Sequence, residues 1–473
     1  MLLKHSSIYS ASVLLNGLVG FAAVAINTRL LGAEEYGHYA LALGSAMCAS
    51  TLVFEWLRIS NMRFSETKDG PELLSSSLSL YIVGGIIAMS LTALCFAINF
   101  NTYFPATGWI AVGLFAVCLG VVDLFLALAR SSLRPTLFSS MQIIRGVLAL
   151  AFGGLAAWMK FGFVGVIIGM AIANILTLLF GFIKQPAWQL LRPKLPDKQS
   201  IMTLVGFGFP LVMTIIALQV LLLVDRFMIS YFHGASEVGA YAAASDITQK
   251  LILMIATGVN LASYNLVLKT YDEEGLAQAE HKLGTTLSVL LAITLPVAVG
   301  IILIANPMGH LLLGASVAEG AISLMPMLSL IAILQMLRTC YFDQPYHILK
   351  ITNKIFWPYL GASVVAVIAW LFLIPSLGAM GAAYGLILAH LAGAGFSYFG
   401  IRDKFKLHIV WKDVVIVLVA LVAMAVVVAI MPWQDNVVWL LVRIGLGGAC
   451  YAMIMILGNF MDVRHVILSK VFK

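Results

Sequence analysis

Apolar runs about twenty residues long return fourteen times along this chain, near residues 8–31, 37–57, 79–99, 108–129, 141–159, 162–183, 201–230, 237–265, 283–304, 322–342, 355–374, 378–399, 412–431 and 437–460. Wound as a helix at about 1.5 Å per residue, each run covers the ~30 Å hydrocarbon core of a bilayer and satisfies its own backbone polar groups there. With 62% hydrophobic residues, 10% charged and a mean hydropathy of +1.01, no soluble globular fold could hide so much apolar surface. The runs are uninterrupted rather than alternating, which excludes a β-barrel. The expected fold class is an all-α polytopic membrane protein with about 14 transmembrane helices.

The basic residues give these spans a direction. When sides alternate, 22 of the 28 Lys and Arg fall on the side of the N-terminus, among them Arg58, Arg130, Lys194, Arg338 and Lys404. The excess of cytoplasmic base places both termini in the cytoplasm and requires an even number of spans. The net charge of +7 therefore reads as topology, not as nucleic-acid binding. Lys4 followed by an apolar run ending at Ala23-Val24-Ala25 could be taken for a signal peptide. A later copy of this region, lying mid-chain, argues for a structural helix instead.

That copy is an internal duplication. Shifted by 202 residues, the segment 32–42 (GAEEYGHYALA) matches 234–244 at seven of eleven positions: Gly32, Ala33, Glu35, Gly37, Tyr39, Ala40 and Ala42 meet Gly234, Ala235, Glu237, Gly239, Tyr241, Ala242 and Ala244. The stretch reads as a tight connection between two spans, with Glu34 and Glu35 as its polar tip. Shifted by 216, Gly162, Gly165, Gly169 and Ala173 meet Gly378, Gly381, Gly385 and Ala389, so both copies carry a small-residue face for close helix approach. Each half holds six spans, and six is even, so the repeats are parallel, related by an axis along the membrane normal. The division is 1–190 for the first six-helix lobe, 191–405 for the second, and 406–473 for an added helix pair with a cytoplasmic tail.

Ionisable residues inside spans are costly unless paired or facing a watery cavity, so they mark candidate sites. Basic ones prevail: Arg29, Arg145, Arg226, Lys250 and Arg443 stand against Asp123, Asp225 and Asp246, with Glu55 near a cytoplasmic end. A cavity lined by Arg and Lys suits an anionic substrate, above all a phosphate, which guanidinium grips in bidentate fashion. Arg145 and Lys250 lead as substrate-binding residues, with Arg29, Arg226 and Arg443 behind. The bland alternatives are snorkelling for the four arginines and an i,i+4 ion pair between Asp246 and Lys250. Asp123, Asp225 and Asp246 are candidates for proton or sodium coupling; equally, Asp123 could pair with Arg130, and Asp225 could sit at the interface beside Arg226. No metal-binding cluster, phosphate-binding loop or nucleophilic triad appears, so neither a metal nor a cofactor is expected, and the chain reads as a non-enzyme. A polysaccharide polymerase or glycosyltransferase would call for a sizeable extracytoplasmic loop, and the longest such connection is about 305–321.

The hairpin LLGAEEYGHYALA (30–42), the later VDRFMISYFHGASEVGAYAAA (224–244), the two six-span repeats and the appended span pair resemble bacterial polysaccharide exporters of the O-antigen flippase type. These belong to the multidrug/oligosaccharidyl-lipid/polysaccharide exporter superfamily. The resemblance implies two six-helix lobes in a V shape and transfer of undecaprenyl-pyrophosphate-linked oligosaccharide across the bacterial inner membrane. It also implies membrane lipids, polysaccharide polymerase and glycosyltransferases as partners. A cation-coupled multidrug exporter and a peptidoglycan-precursor flippase of the same superfamily are the alternatives.

Overall fold

The computed structural model describes residues 2–65, 67, 70–98, 103–132, 134–431 and 437–462. The expected cytoplasmic tail beyond 462, with Arg464, Lys470 and Lys473, lies outside the described residues, as does Lys68. Among the described residues the chain is helical throughout: α1 (Leu2–Phe64), α2 (Gly70–Ala97), α3 (Ala106–Ser131), α4 (Pro135–Trp158), α5 (Gly162–Lys184), α6 (Lys198–His233), α7 (Ala235–Glu274), α8 (Leu276–Leu303), α9 (Ala305–Leu312), α10 (Ala315–Leu337), α11 (Gln344–Ile348), α12 (Phe356–Ile401), α13 (Trp411–Ile430) and α14 (Val437–Leu457).

Twelve of these stretches are long and apolar enough to cross a membrane. Two of the twelve, Leu15–Phe64 and Thr352–Ile401, are 50 residues each, or about 75 Å of helix, more than twice the hydrocarbon core. Each is interrupted once, at Gly32 (φ 77°) and at Gly378 (φ 56°), and so supplies two crossings. The fourteen expected spans are thereby accounted for. Large apolar side chains such as Ile82, Ile86 and Ile87 on α2 face outward, as lipid contact demands.

Two compact units make up the chain. The first comprises Met1–Ala243, Gly314–Val317 and Val367–Ala382, and the second Ala244–Leu313, Ala318–Ala366 and Ala383–Lys473.

In the first unit the duplication is visible as paired backbone devices. Positive φ occurs at Gly32 and Gly234, and again at Gly162 and Gly378, the matched positions of both repeats. Glu35 and Glu237 then act alike. Glu35 accepts the backbone N–H of Phe163 at 2.7 Å, one residue past Gly162; Glu237 accepts that of Ala379 at 2.6 Å, one residue past Gly378. Each carboxylate satisfies an orphan donor where a helix restarts and meets the positive end of its dipole. This corrects the expectation of a polar tip at Glu35: the side chain is half-buried and committed, and only Glu34 is exposed.

The two hairpin copies also pack on each other. A Cβ on Gly37 would collide with the carbonyl oxygen of Ala235, and one on Gly239 with that of Ala33. Residue i of one copy touches j of the other and j touches i, the signature of a local two-fold axis. Around the crossing Tyr36, Tyr241, Leu41 and Ala242 are buried. Below it the core gathers Phe54, Tyr81, Phe125 and Met141, with Phe54 stacked on Tyr81 at 5.1 Å. The linker after α5 is fixed to this unit by Lys194, whose N–H donates to the Ser75 carbonyl at 3.1 Å and whose ammonium meets Glu72.

The second unit packs Leu283, Leu287, Tyr341, Tyr346 and Phe405 into one core. The added pair α13 and α14 packs on α8, where Tyr451 donates its hydroxyl proton to the Ala292 carbonyl at 2.8 Å. Between α10 and α11 the backbone widens into one π-helical turn, Arg338–Phe342, closed by an N–H of Asp343 to the carbonyl of Arg338 at 2.9 Å.

Candidate substrate-binding site

Polar side chains converge in the first unit on a pocket of about 180 Å³ enclosed by α1, α3 and α4. Ser50, Thr51, Glu55 and Arg58 reach it from successive turns of α1, Asp123 from α3 and Arg145 from α4. Spacings of three and four residues put the α1 group on one helix face. Gly120 makes room beside it, because a Cβ there would meet the ring of Phe54.

Two ion pairs line the wall. Arg145 Nη1 donates to Asp123 Oδ1 at 2.8 Å, with side chains 24% and 37% exposed, and Arg58 forks onto Glu55 one turn away. The expectation that Asp123 pairs with Arg130 is thereby corrected: the partner comes from the neighbouring helix, 22 residues on, inside the bundle. The Arg145 guanidinium points at this carboxylate. Only Nη1 is engaged, so the guanidinium keeps further donors for an anion, and the pair is open enough for a ligand to replace one partner. A volume below the ~300–1,000 Å³ of a drug-sized site fits a charged head group rather than a whole substrate.

The other sequence candidates lie elsewhere and do different work. Asp225 is buried, and it accepts the hydroxyl proton of Tyr241 at 2.7 Å and the N–H of Arg226 at 2.8 Å, latching α6 to α7. Arg226 is half-buried beside it, and Arg29 is exposed one turn before the Gly32 break. In the second unit Lys250 and Asp246 form their i,i+4 pair at 3.0 Å, with the lysine exposed. Arg443 is buried and donates through Nη2 to the carbonyl of Met431 at the end of α13, where helix carbonyls lack partners. The structure thus brings Arg145 and Asp123 together and adds Glu55 and Arg58 to them.

A second buried pair was hidden from sequence reasoning. Arg338, counted among cytoplasmic-side bases, is 1% exposed and stands 3.8 Å from Asp343 in the second unit. The π-helical turn brings side chains five residues apart onto one face, where an α-helix would separate them. Tyr359 lies under the guanidinium at 4.0 Å, Gly393 leaves space for it, and Ser397 donates its hydroxyl proton to Asp343. His390 is buried in the same unit. The Arg338-to-Asp343 spacing and Gly393 were the available signals. Among the described residues no three His, Cys, Asp or Glu side chains gather as a metal site would need.

The family model described as "Polysaccharide biosynthesis protein" matches residues 2–271, and a MatE model matches residues 210–343. No curated protein matches. Among solved structures, the chain is similar to the lipid II flippase MurJ in an inward closed conformation, at 17% identity and TM-score 0.76, over 97% of this chain and 99% of that one. It is similar to an inward-facing multidrug resistance MATE family transporter at 16% identity and TM-score 0.57, over 84% and 94% of the two chains. A MOP-superfamily transporter from Pyrococcus furiosus follows at 14% identity and TM-score 0.55, over 85% and 96%. At these identities the likeness is one of fold.

Proposed function

The chain belongs to the polysaccharide biosynthesis protein family, within the multidrug/oligosaccharidyl-lipid/polysaccharide exporter superfamily, and from that premise we propose that it flips undecaprenyl-pyrophosphate-linked oligosaccharide across the bacterial inner membrane. The observation that carries this reading is Arg145 in its pocket. A half-open guanidinium bonded to one carboxylate oxygen can trade Asp123 for the diphosphate, which offers more oxygens and more charge. Arg58, held by Glu55 on the same wall, supplies a second cation within reach. The sugar stays in water and the polyprenyl tail in lipid, so the small pocket has only the head group to accommodate.

Translocation then proceeds by alternating access between a first lobe, 1–190, and a second, 191–405, with the helix pair from 406 attached to the latter. The head group shifts the equilibrium between the two states only by the difference in its affinity for them. No covalent step is involved, and the Asp123 carboxylate released from Arg145 is free to take a proton or sodium ion. A lipid-linked substrate rather than a drug is supported by the family model described as "Polysaccharide biosynthesis protein", which matches residues 2–271, and by the basic side chains on the pocket wall.

A strain lacking the gene tests the proposal. It should accumulate lipid-linked oligosaccharide in the cytoplasmic leaflet, cleared by the wild-type gene and not by Arg145→Ala, at equal amounts of protein in the membrane. Absence of any accumulated intermediate refutes the flippase reading; full clearance by Arg145→Ala removes the pocket from it. A cell-wall precursor as the accumulated species would assign the chain to peptidoglycan synthesis.

A further inference from the structure

The α4–α5 hairpin of the first unit carries an apolar groove of about 360 Å³ that shares no lining residue with the Arg145 pocket. Phe152, Leu155 and Met159 form one bank and Phe161, Ile168 and Ile172 the other, at helical spacings that keep each set on one face. Its origin is the small-residue face of α5. Gly169 lies against the backbone of Phe152 and Gly153, and Gly165 against Ala156, so the two helices approach until the flanking side chains leave a trough.

The trough has the dimensions of a lipid chain. From Phe161 to Ile172 it follows eleven residues of helix, about 16 Å, or half of the ~30 Å hydrocarbon core. It begins at the α4–α5 turn and therefore spans one leaflet.

Charge at the mouth selects the occupant. Lys160 lies exposed in the turn between two groove residues, Met159 and Phe161, beside Trp158, which is 69% exposed, as an interfacial tryptophan would be. The Glu35 carboxylate, which lies against Gly162 in the same turn, is committed to the Phe163 N–H. We propose that the groove binds one chain of an anionic phospholipid, with the phosphate on Lys160. This is a resident lipid rather than the transported substrate, and the inference stands whether or not the chain is a flippase.

The test reconstitutes the full protein in discs holding equal phosphatidylglycerol and phosphatidylethanolamine, then counts retained lipid by native mass spectrometry. Wild type should retain one phosphatidylglycerol in preference to phosphatidylethanolamine by about fivefold, the contribution of one lysine near an anionic head group. Lys160→Gln should abolish the preference but keep a bound lipid. Leu155→Trp or Ile168→Trp, both at exposed positions lining the trough, should expel lipids of either kind, with an unchanged melting temperature reporting an intact fold. Equal retention of the two lipids by wild type, or retention unaltered by both tryptophan variants, overturns the proposal. So does displacement of phosphatidylglycerol by undecaprenyl phosphate at equal concentration, which would assign the groove to the polyprenyl carrier.

Discussion

Arg145–Asp123 and Arg338–Asp343 are both arginine–aspartate pairs inside membrane-spanning bundles, yet they differ in every property that decides use. The first is hydrogen-bonded at 2.8 Å, with side chains 24% and 37% exposed on a pocket wall. The second stands at 3.8 Å with both side chains 2% exposed or less, the guanidinium stacked on Tyr359 and packed against Gly393. An open pair can exchange a partner for a ligand at small cost, because either charge can be re-solvated. A closed one cannot, since removing one member strands the other in a low dielectric. The same two residue types therefore form an exchangeable pair on a pocket wall in one unit and a sealed structural pair in the other; recognition by the first is the proposal.

The contrast can be attacked experimentally, beginning with its largest consequence. Asp343→Ala should lower stability by about 3–5 kcal/mol, the usual result of orphaning a buried charge, seen as a fall in the thermal midpoint of detergent-purified protein. If the midpoint moves no more than it does for a surface substitution, the second pair is not structural. Replacing both partners, Arg338→Met with Asp343→Leu, should recover most of that loss. For the open pair the expected effects reverse. Exchanging the charges, Asp123→Arg with Arg145→Asp, should leave stability within about 1 kcal/mol while abolishing transport, because a pair still forms but the cation sits on the wrong helix. Transport retained by the swapped protein would make the pair a mere helix link. The smallest effect belongs to Asp123→Asn: little change in stability, about 0–1 kcal/mol, and tighter retention of the anionic head group, read as a lower turnover at unchanged expression.

The sequence carried the crossings and the duplication because both are written in local periodicity: twenty-residue apolar runs, and identities at fixed shifts of 202 and 216. It also carried Asp246–Lys250, whose spacing is a property of one helix. What it could not carry was partnership between helices. Asp123 finds Arg145 rather than Arg130, and Asp225 finds Tyr241, through packing that no spacing encodes. The burial of Arg338 was illegible for a related reason: it depends on a π turn and on a missing side chain at Gly393, more than fifty residues away. Glu35 looked like a loop tip because its donor, the Phe163 N–H, comes from a helix that begins 127 residues later.

The reciprocal crossing of Gly37 and Gly239 has a consequence for how the protein is made. Its two faces are separated by 202 residues, so a ribosome adding about 5–20 residues per second delivers the second roughly 10–40 s after the first. For that interval the first hairpin sits in the bilayer with a bare glycine face that fits one partner, the copy still to be translated. Biogenesis of this transporter has a waiting step, and the surface most exposed to capture by an insertion factor or to mispairing with a neighbouring nascent chain is the one that later marks the symmetry of the finished molecule.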